Sequence, residues 1–463
     1  MTDIHAQAKE NDAREDEDYA LGGDVVAAVR LAVASGNGER LSEIFGPLHP
    51  ADIADLLEQV DQGVRREILL LAADQIDGEV LSEIDESIRD DVVEFLPNDV
   101  VAEAVRDLES DDVVDLLETL EEEQAEVVLG ALEDADRAAV EAAMALPENS
   151  AGRLMQSEVV AAPEHWNVGQ AIDFMRAHDD LPDQFYHIVL VDPRHRPTGY
   201  VTLGKVMSSA RDKPLGDLTE DSFRTIPVAQ DEGEVAYAFN QYHLISAPVV
   251  DESDRLVGMI TIDDAMAILD EEHEEDILRL AGVGEESLAN SPLEIMRRRF
   301  PWLFVNLVTA ILASLVIAVF EDVIGVLVAL AVLMPIVASM GGNAGTQSLT
   351  VAVRALATKD LTSSNAWRVI RREVVAGLLS GLVFAVLMGA IGVAWFGLPM
   401  LGVVIGAAMV INLVVAALAG ILVPLTLDRL GIDPALASGA FVTTVTDIVG
   451  FFAFLGLASV FLL

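Results

Sequence analysis

The chain has 463 residues, no cysteine, 76 acidic against 28 basic side chains, and a formal net charge of −48. That balance excludes nucleic acid as a partner and disfavours an anionic membrane surface, because both would repel it; it suits either attraction of multivalent cations or solubility in a salty cytoplasm. The excess sits entirely ahead of Ser291: after it come eight acidic residues (Glu294, Glu321, Asp322, Asp360, Glu373, Asp428, Asp433, Asp447) and nine basic ones, so the remainder is close to neutral.

Residues 1–22 are polar and acidic and are expected to form a disordered tail. Residues 23–150 repeat short amphipathic units: Ala51-Asp-Ile-Ala-Asp-Leu-Leu-Glu58, Asp99-Val-Val-Ala-Glu-Ala-Val-Arg106 and Asp111-Asp-Val-Val-Asp-Leu-Leu-Glu118. Each opens near an acidic residue, favourable at a helix N-terminus, and continues with apolar residues at helical spacing. The expectation is an all-α superhelical domain closed by Pro147.

Residues 151–265 change period. Ile188-Val-Leu-Val-Asp192 is followed by Pro197-Thr-Gly199-Tyr-Val-Thr202, and Ala247-Pro-Val-Val-Asp251 by Leu256-Val-Gly258-Met-Ile-Thr261. Helical segments at Val168–Arg176 and Glu234–Gln241 alternate with these runs. A strand–turn–strand–helix unit repeated after roughly sixty residues is one small α/β fold in two copies, and it resembles a tandem CBS pair. Residues 266–295 are expected to form a charged linking helix that carries Asp270-Glu-Glu-His-Glu-Glu-Asp276. Such a run reads either as a solvated face or as carboxylates neutralised by bound metal.

Residues 296–463 contain apolar stretches long enough to cross a bilayer as helices, near Phe300–Phe320, Val323–Met340 with an extension to about Arg354, Val374–Phe396, Leu401–Leu427 and Ala435–Leu462. Arg297, Arg298, Arg299, Arg354, Lys359, Arg368, Arg371, Arg372 and Arg429 all fall on one side of these five spans. The positive-inside rule makes that side cytoplasmic and puts the C-terminus outside. The domain would sit in the cell membrane among its lipids, with the acidic part in the cytoplasm.

Two stretches within the spans carry polar chemistry. Gly341-Gly342-Asn343-Ala-Gly-Thr-Gln347 offers either close helix packing or a locally opened backbone lining a wet path. Thr443 and Asp447 share a helix face in the last span, and a carboxylate at bilayer depth marks a functional site or a satisfied internal hydrogen bond. All eight histidines precede the spans, so the ligands there are hard oxygens, suited to Mg²⁺, Ca²⁺ or Mn²⁺. One carboxylate per chain cannot dehydrate Mg²⁺, but two copies across a homodimer axis can hold the hydrated ion.

The order of these parts, with Leu48-His-Pro-Ala-Asp-Ile-Ala-Asp-Leu-Leu-Glu58, Ser150-Ala-Gly-Arg-Leu-Met155, Gly341–Gln347, Arg354-Ala-Leu-Ala-Thr358 and Asp433-Pro-Ala-Leu-Ala-Ser438 through Asp447, resembles the MgtE family of magnesium channels and transporters. The resemblance implies a homodimer with the ion path at the dimer interface, Asp447 as the selectivity carboxylate, and a lining near Gly341, Gly342, Asn343 and Thr443. It also implies that Mg²⁺ binding closes the pore through acidic positions Asp264, Glu272, Glu275 and Asp276, with Asp111, Asp112 and Asp115 as candidates from the first domain. Ala267 departs from it, standing one turn after Asp264 where relatives can carry a carboxylate. The CBS resemblance implies an adenine nucleotide such as ATP at Thr261 and Asp264. The alternative is that Thr261-Ile-Asp263-Asp264 caps a helix, and the first CBS unit has Lys205 at the corresponding acidic place. A proton- or sodium-coupled divalent-cation transporter and a non-transporting membrane sensor are the rival functions. No nucleophile–base pair or phosphate loop suggests an enzyme.

Overall fold

The computed structural model describes residues 21–463 except 121, 179–180, 183, 221–222, 284–291 and 363, so nearly all of the expected tail and part of the linking segment lie outside the described residues. It divides into two compact units, Met1–Asp270 and Glu271–Leu463.

The first unit begins with α1 (Gly23–Ala34), α2 (Gly38–Phe45), α3 (Pro50–Gln59), α4 (Gln62–Leu71), α5 (Gly78–Ser82), α6 (Glu86–Phe95), α7 (Asn98–Ala104), α8 (Ser110–Thr119), α9 (Glu122–Ala131) and α10 (Asp134–Met144). Several of these helices are capped by a polar side chain just ahead of them, whereas Asp99 and Asp111 of the repeated units lie inside α7 and α8, which have no side-chain cap. Asn37, Asp61, Asp77 and Asp85 accept from the first-turn backbone of α2, α4, α5 and α6, and His49 with Asp52 closes a reciprocal box on α3. The apolar faces join in one core from Val29 to Ala143.

A repeat is written in buried arginines. Arg65 on α4 donates to Leu57 O at 2.9 Å and reaches Asp91 on α6 at 3.2 Å. Arg89 on α6 donates to Ile84 O at 3.1 Å and reaches Asp115 on α8 at 2.9 Å. The two arrangements are about 24 residues apart in register, the mark of stacked helical repeats. Each guanidinium satisfies helix-end carbonyls while its carboxylate partner offsets its burial.

The α/β part holds two three-stranded sheets built alike. β1 (Ala161–Pro163) pairs in parallel with β2 (His187–Val191), which pairs antiparallel with β3 (Pro197–Thr202). β4 (Ile226–Pro227), β5 (Ser246–Val250) and β6 (Leu256–Thr261) repeat that order. β1 and β4 are too short to show as apolar runs, and the sequence reading passed over them. The registers correspond, His187 opposite Thr202 and Ser246 opposite Thr261. In the two turns Asp192 and Asp251 each accept two backbone N–H groups, and those bonds hold both carboxyls below the usual range. Helices α11 (Val168–Ala177), α12 (Leu203–Ser208) and α13 (Glu232–Tyr242) cover the sheets, and α14 (Ile262–Leu280) follows β6.

Among the described residues, the second unit has five helices long and apolar enough to cross a membrane. They lie in α15 (Pro292–Val319), α17 (Ala329–Ala357), α18 (Ala366–Phe396), α19 (Pro399–Arg429) and α20 (Pro434–Phe461). The second span begins later than expected. Residues from Glu321 form a separate short helix α16 (Glu321–Val326), which a non-helical Leu327 ends before α17. The Gly341–Gln347 segment does not open the backbone, since α17 runs through it unbroken. The glycines serve close approach instead. A Cβ at Gly420 on α19 would stand 2.7 Å from Gly345 O and 2.7 Å from Ser348 Cβ on α17. Gly420→Val is therefore expected to cost about 1–3 kcal/mol by overpacking, read as a lower melting temperature in detergent.

Candidate functional site: an intramembrane carboxylate and an acid cluster outside the spans

Asp447 lies mid-way along α20, half-buried, one turn beyond Thr443. Among the described residues no hydrogen bond or ion pair reaches its carboxylate. The hydroxyls beside it turn inward along their own helix. Thr443 donates to Gly439 O at 2.9 Å, and fully buried Thr446 donates to Thr443 O at 2.9 Å. That leaves hydroxyl lone pairs free as acceptors, the polarity a cation needs.

Helix α17 meets α20 along its glycine-rich segment. A Cβ at Gly345 would stand 2.6 Å from Val442, and one at Gly342 would stand 4.0 Å from Thr443. Gly341 is buried and Asn343 is exposed. The fold thus brings Gly342 and Thr443 together and sets Asn343 and Asp447 on adjoining helices. Sequence reasoning missed Asn412 of α19, buried to 1 % exposure, against which Gly341 also packs. A lone amide in the apolar run Leu401–Leu427 was the available signal.

The carboxylates outside the spans divide into three situations. Asp111 and Asp112 begin α8 beside Asp264, the third residue of α14. Burial first, then the charge of Asp264, holds the Asp111 carboxyl well above its ordinary value. Burial, then Asp264 and Glu109, pushes Asp112 up to about 7. Asp264 is likewise raised by burial, against a hydrogen bond from the Thr261 hydroxyl. Direct bonds surround this cluster: Ser110 Oγ donates to Glu158 at 2.8 Å and Gln156 donates to Glu109 at 2.7 Å. Glu109 and Glu158 were not foreseen. Asp115, by contrast, is exposed and held by Arg89, the position Asp91 fills in the preceding repeat. Thr261 and Asp264 bind each other: the Asp264 carboxylate takes the Thr261 hydroxyl and, at 3.4 Å, the Thr261 backbone N–H, the half of a capping box that reaches back to the residue ahead of the helix, and this engages both predicted nucleotide contacts.

On the linking helix, Glu272 is exposed. Glu275 pairs with Arg279, which also reaches Asp433 at 2.7 Å, just ahead of α20. Asp433 in turn caps α20 by accepting from Ala435. Burial first, then Asp433 and Glu272, raises the Asp276 carboxyl. Leu280 packs with Leu349, Val353, Ala435 and Val442 of the bundle. Among the described residues no three His, Cys, Asp or Glu side chains converge as a closed metal cage. The donor set is oxygen-rich and incompletely neutralised, which fits a hydrated hard cation better than a dehydrated one.

A membrane domain with a bare carboxylate, joined to a CBS pair and an acidic helical domain, has the make-up of a membrane cation transporter with accessory domains. The family model described as divalent cation transporter matches residues 334–457, the MgtE intracellular N domain matches 48–149, and CBS domains match 151–212 and 215–271. The chain is 35 % identical over 316 residues to the magnesium transporter MgtE of Enterococcus faecalis, covering 68 % of this chain and 70 % of that one. It is 32 % identical to that of Thermus thermophilus, over 95 % of this chain and 98 % of that one. A crystal structure of the cytosolic domain of the Mg²⁺ channel MgtE in complex with ATP is similar at 28 % identity and a TM-score of 0.48, covering 52 % of this chain and 99 % of that one. The chain belongs to the MgtE family of magnesium transporters.

Proposed function

We propose that this protein is a homodimeric Mg²⁺ channel whose pore is closed by Mg²⁺ binding to its cytosolic acidic domains. The observation that carries the reading is Asp447, a mid-span carboxylate without a protein cation among the described residues, on the helix face that meets Gly342. Such a group stays ionised at bilayer depth only beside water and a counter-charge. Two copies across a dimer axis would supply two charges to a hydrated Mg²⁺ and hold it through its waters, loosely enough to release it. The basic residues flanking the spans support a cytoplasmic N-terminus and an outward C-terminus. Asp111, Asp112 and Asp264, with Glu275 and Asp276 on the linking helix, are the sensing carboxylates. Glu272 joins them from an exposed position, and Asp115 and Glu275 are the weaker members because Arg89 and Arg279 already hold them.

The test is Mg²⁺ influx into liposomes that carry the full chain. Flux should follow the Mg²⁺ gradient, be indifferent to imposed proton or sodium gradients, and fall when millimolar Mg²⁺ is placed on the side of the cytosolic domains. Flux that requires a proton or sodium gradient would establish coupled transport instead. No flux at all would leave a sensor.

A further inference from the structure

The middle of α19 carries an amide that the ion path as described does not use. Asn412 is buried to 1 % exposure, and its Nδ2 donates to Val337 O of α17 at 2.8 Å. That bond fixes the orientation of the amide, because only the nitrogen can donate to a carbonyl. Its Oδ1 is buried with no hydrogen-bonding partner among the described residues. Two glycines close on the same group. A Cβ at Gly341 of α17 would come 2.2 Å from Asn412 Nδ2, and one at Gly450 of α20 would come 2.8 Å from it. Both positions therefore accept only glycine without movement of the amide or a helix.

These contacts tie together two segments that matter. Gly341 begins the Gly341-Gly342-Asn343 stretch, and Gly450 lies one turn beyond Asp447. An orphaned acceptor in an apolar interior is costly, and an apolar residue of the same shape would avoid the cost. A polar group retained there points to a role other than packing.

We propose that Asn412 is a positioning residue for ion selection: its amide, anchored on Val337 and clasped by Gly341 and Gly450, sets the separation between the segments bearing Asn343 and Asp447. The inference rests on the reading of Asp447 as the ion-holding group. Asn412 itself touches no ion, being closed off from solvent. A change at Asn412 shifts the spacing of the oxygens that face the ion, so discrimination between ions of different size and hydration changes before folding does.

The experiment measures Mg²⁺, Co²⁺ and Ca²⁺ influx in liposomes for the full-length native chain, Asn412→Leu, Asn412→Asp, Gly450→Ala and Asp447→Asn, with melting temperatures of each in detergent. Asn412→Leu keeps the shape and removes the orphaned oxygen. Asn412→Asp keeps the shape and removes the amide donor to Val337. Gly450→Ala pushes on the same amide from the other side. The expected result is a change of about tenfold or more in the Co²⁺/Mg²⁺ or Ca²⁺/Mg²⁺ flux ratio for both Asn412 variants, in the same direction for Gly450→Ala, with Asn412→Leu melting no lower than the native chain. Native ratios in all three overturn the proposal, as does an equal fall for every ion accompanied by a lower melting temperature. If Asp447→Asn conducts like the native chain, the reading of the ion path has failed; if only Asp447→Asn is impaired, the role of Asn412 alone has failed.

Discussion

Asp447→Asn is expected to abolish Mg²⁺ influx while leaving the fold intact. The substitution keeps the side-chain shape, and among the described residues no hydrogen bond or ion pair of the carboxylate is lost with it. What disappears is one negative charge per chain at a place where nothing else on α20 carries one. Between a divalent ion and a carboxylate separated by a water, in surroundings of intermediate dielectric, that charge is worth roughly 2–3 kcal/mol after screening, or about 50-fold in ion occupancy. In a dimer two such charges vanish together. Influx by fluorescent indicator in liposomes should therefore fall to background, with the melting temperature in detergent unchanged or raised, since an amide is cheaper to bury than an ion. Near-native influx through Asp447→Asn would remove this residue from the ion path altogether.

Much of this architecture was legible because it is written in period and charge. The two α/β units announced themselves as paired apolar runs with an aspartate at each turn, and the structure gives those aspartates matching roles in Asp192 and Asp251. The spans followed from length and hydropathy, except that the second reads as starting at Val323, whereas the structure ends a short helix at Val326 and begins the next at Ala329, because a two-residue break does not alter an apolar average. Side-chain partnership was not legible. Asp111, Asp112 and Asp115 look alike in the chain, yet the first two face Asp264 while the third belongs to an arginine on α6. The repeat of Arg65 and Arg89 would have separated them, had the arginines been aligned as well as the apolar residues. Asn412 was hidden for a related reason: a single polar residue says that something meets it, and only the packed helices say what.

The acid cluster should make protons imitate Mg²⁺. Asp112 is pushed from an ordinary carboxylate value to about 7, and Asp111 and Asp264 are raised in the same direction, all with burial as the largest cause. The contact between α8 and the CBS pair therefore binds protons more tightly than the separated surfaces do. Below the ordinary carboxylate range both forms are neutral, and the contact has its full strength. As pH rises through about 7 the buried carboxylates ionise against one another, and that strength is lost. One linked proton changes the contact equilibrium at most about tenfold per pH unit. Metal-free protein should thus be cleaved between α8 and the CBS pair far more slowly at pH 5.5 than at pH 8. Millimolar Mg²⁺ should restore protection at pH 8 by supplying positive charge where the protons left. The double substitution Asp111→Asn with Asp112→Asn should be protected at both pH values without metal, because the repulsion that ionisation creates is gone. Cleavage rates independent of pH and Mg²⁺ in the native chain would mean that this cluster senses neither.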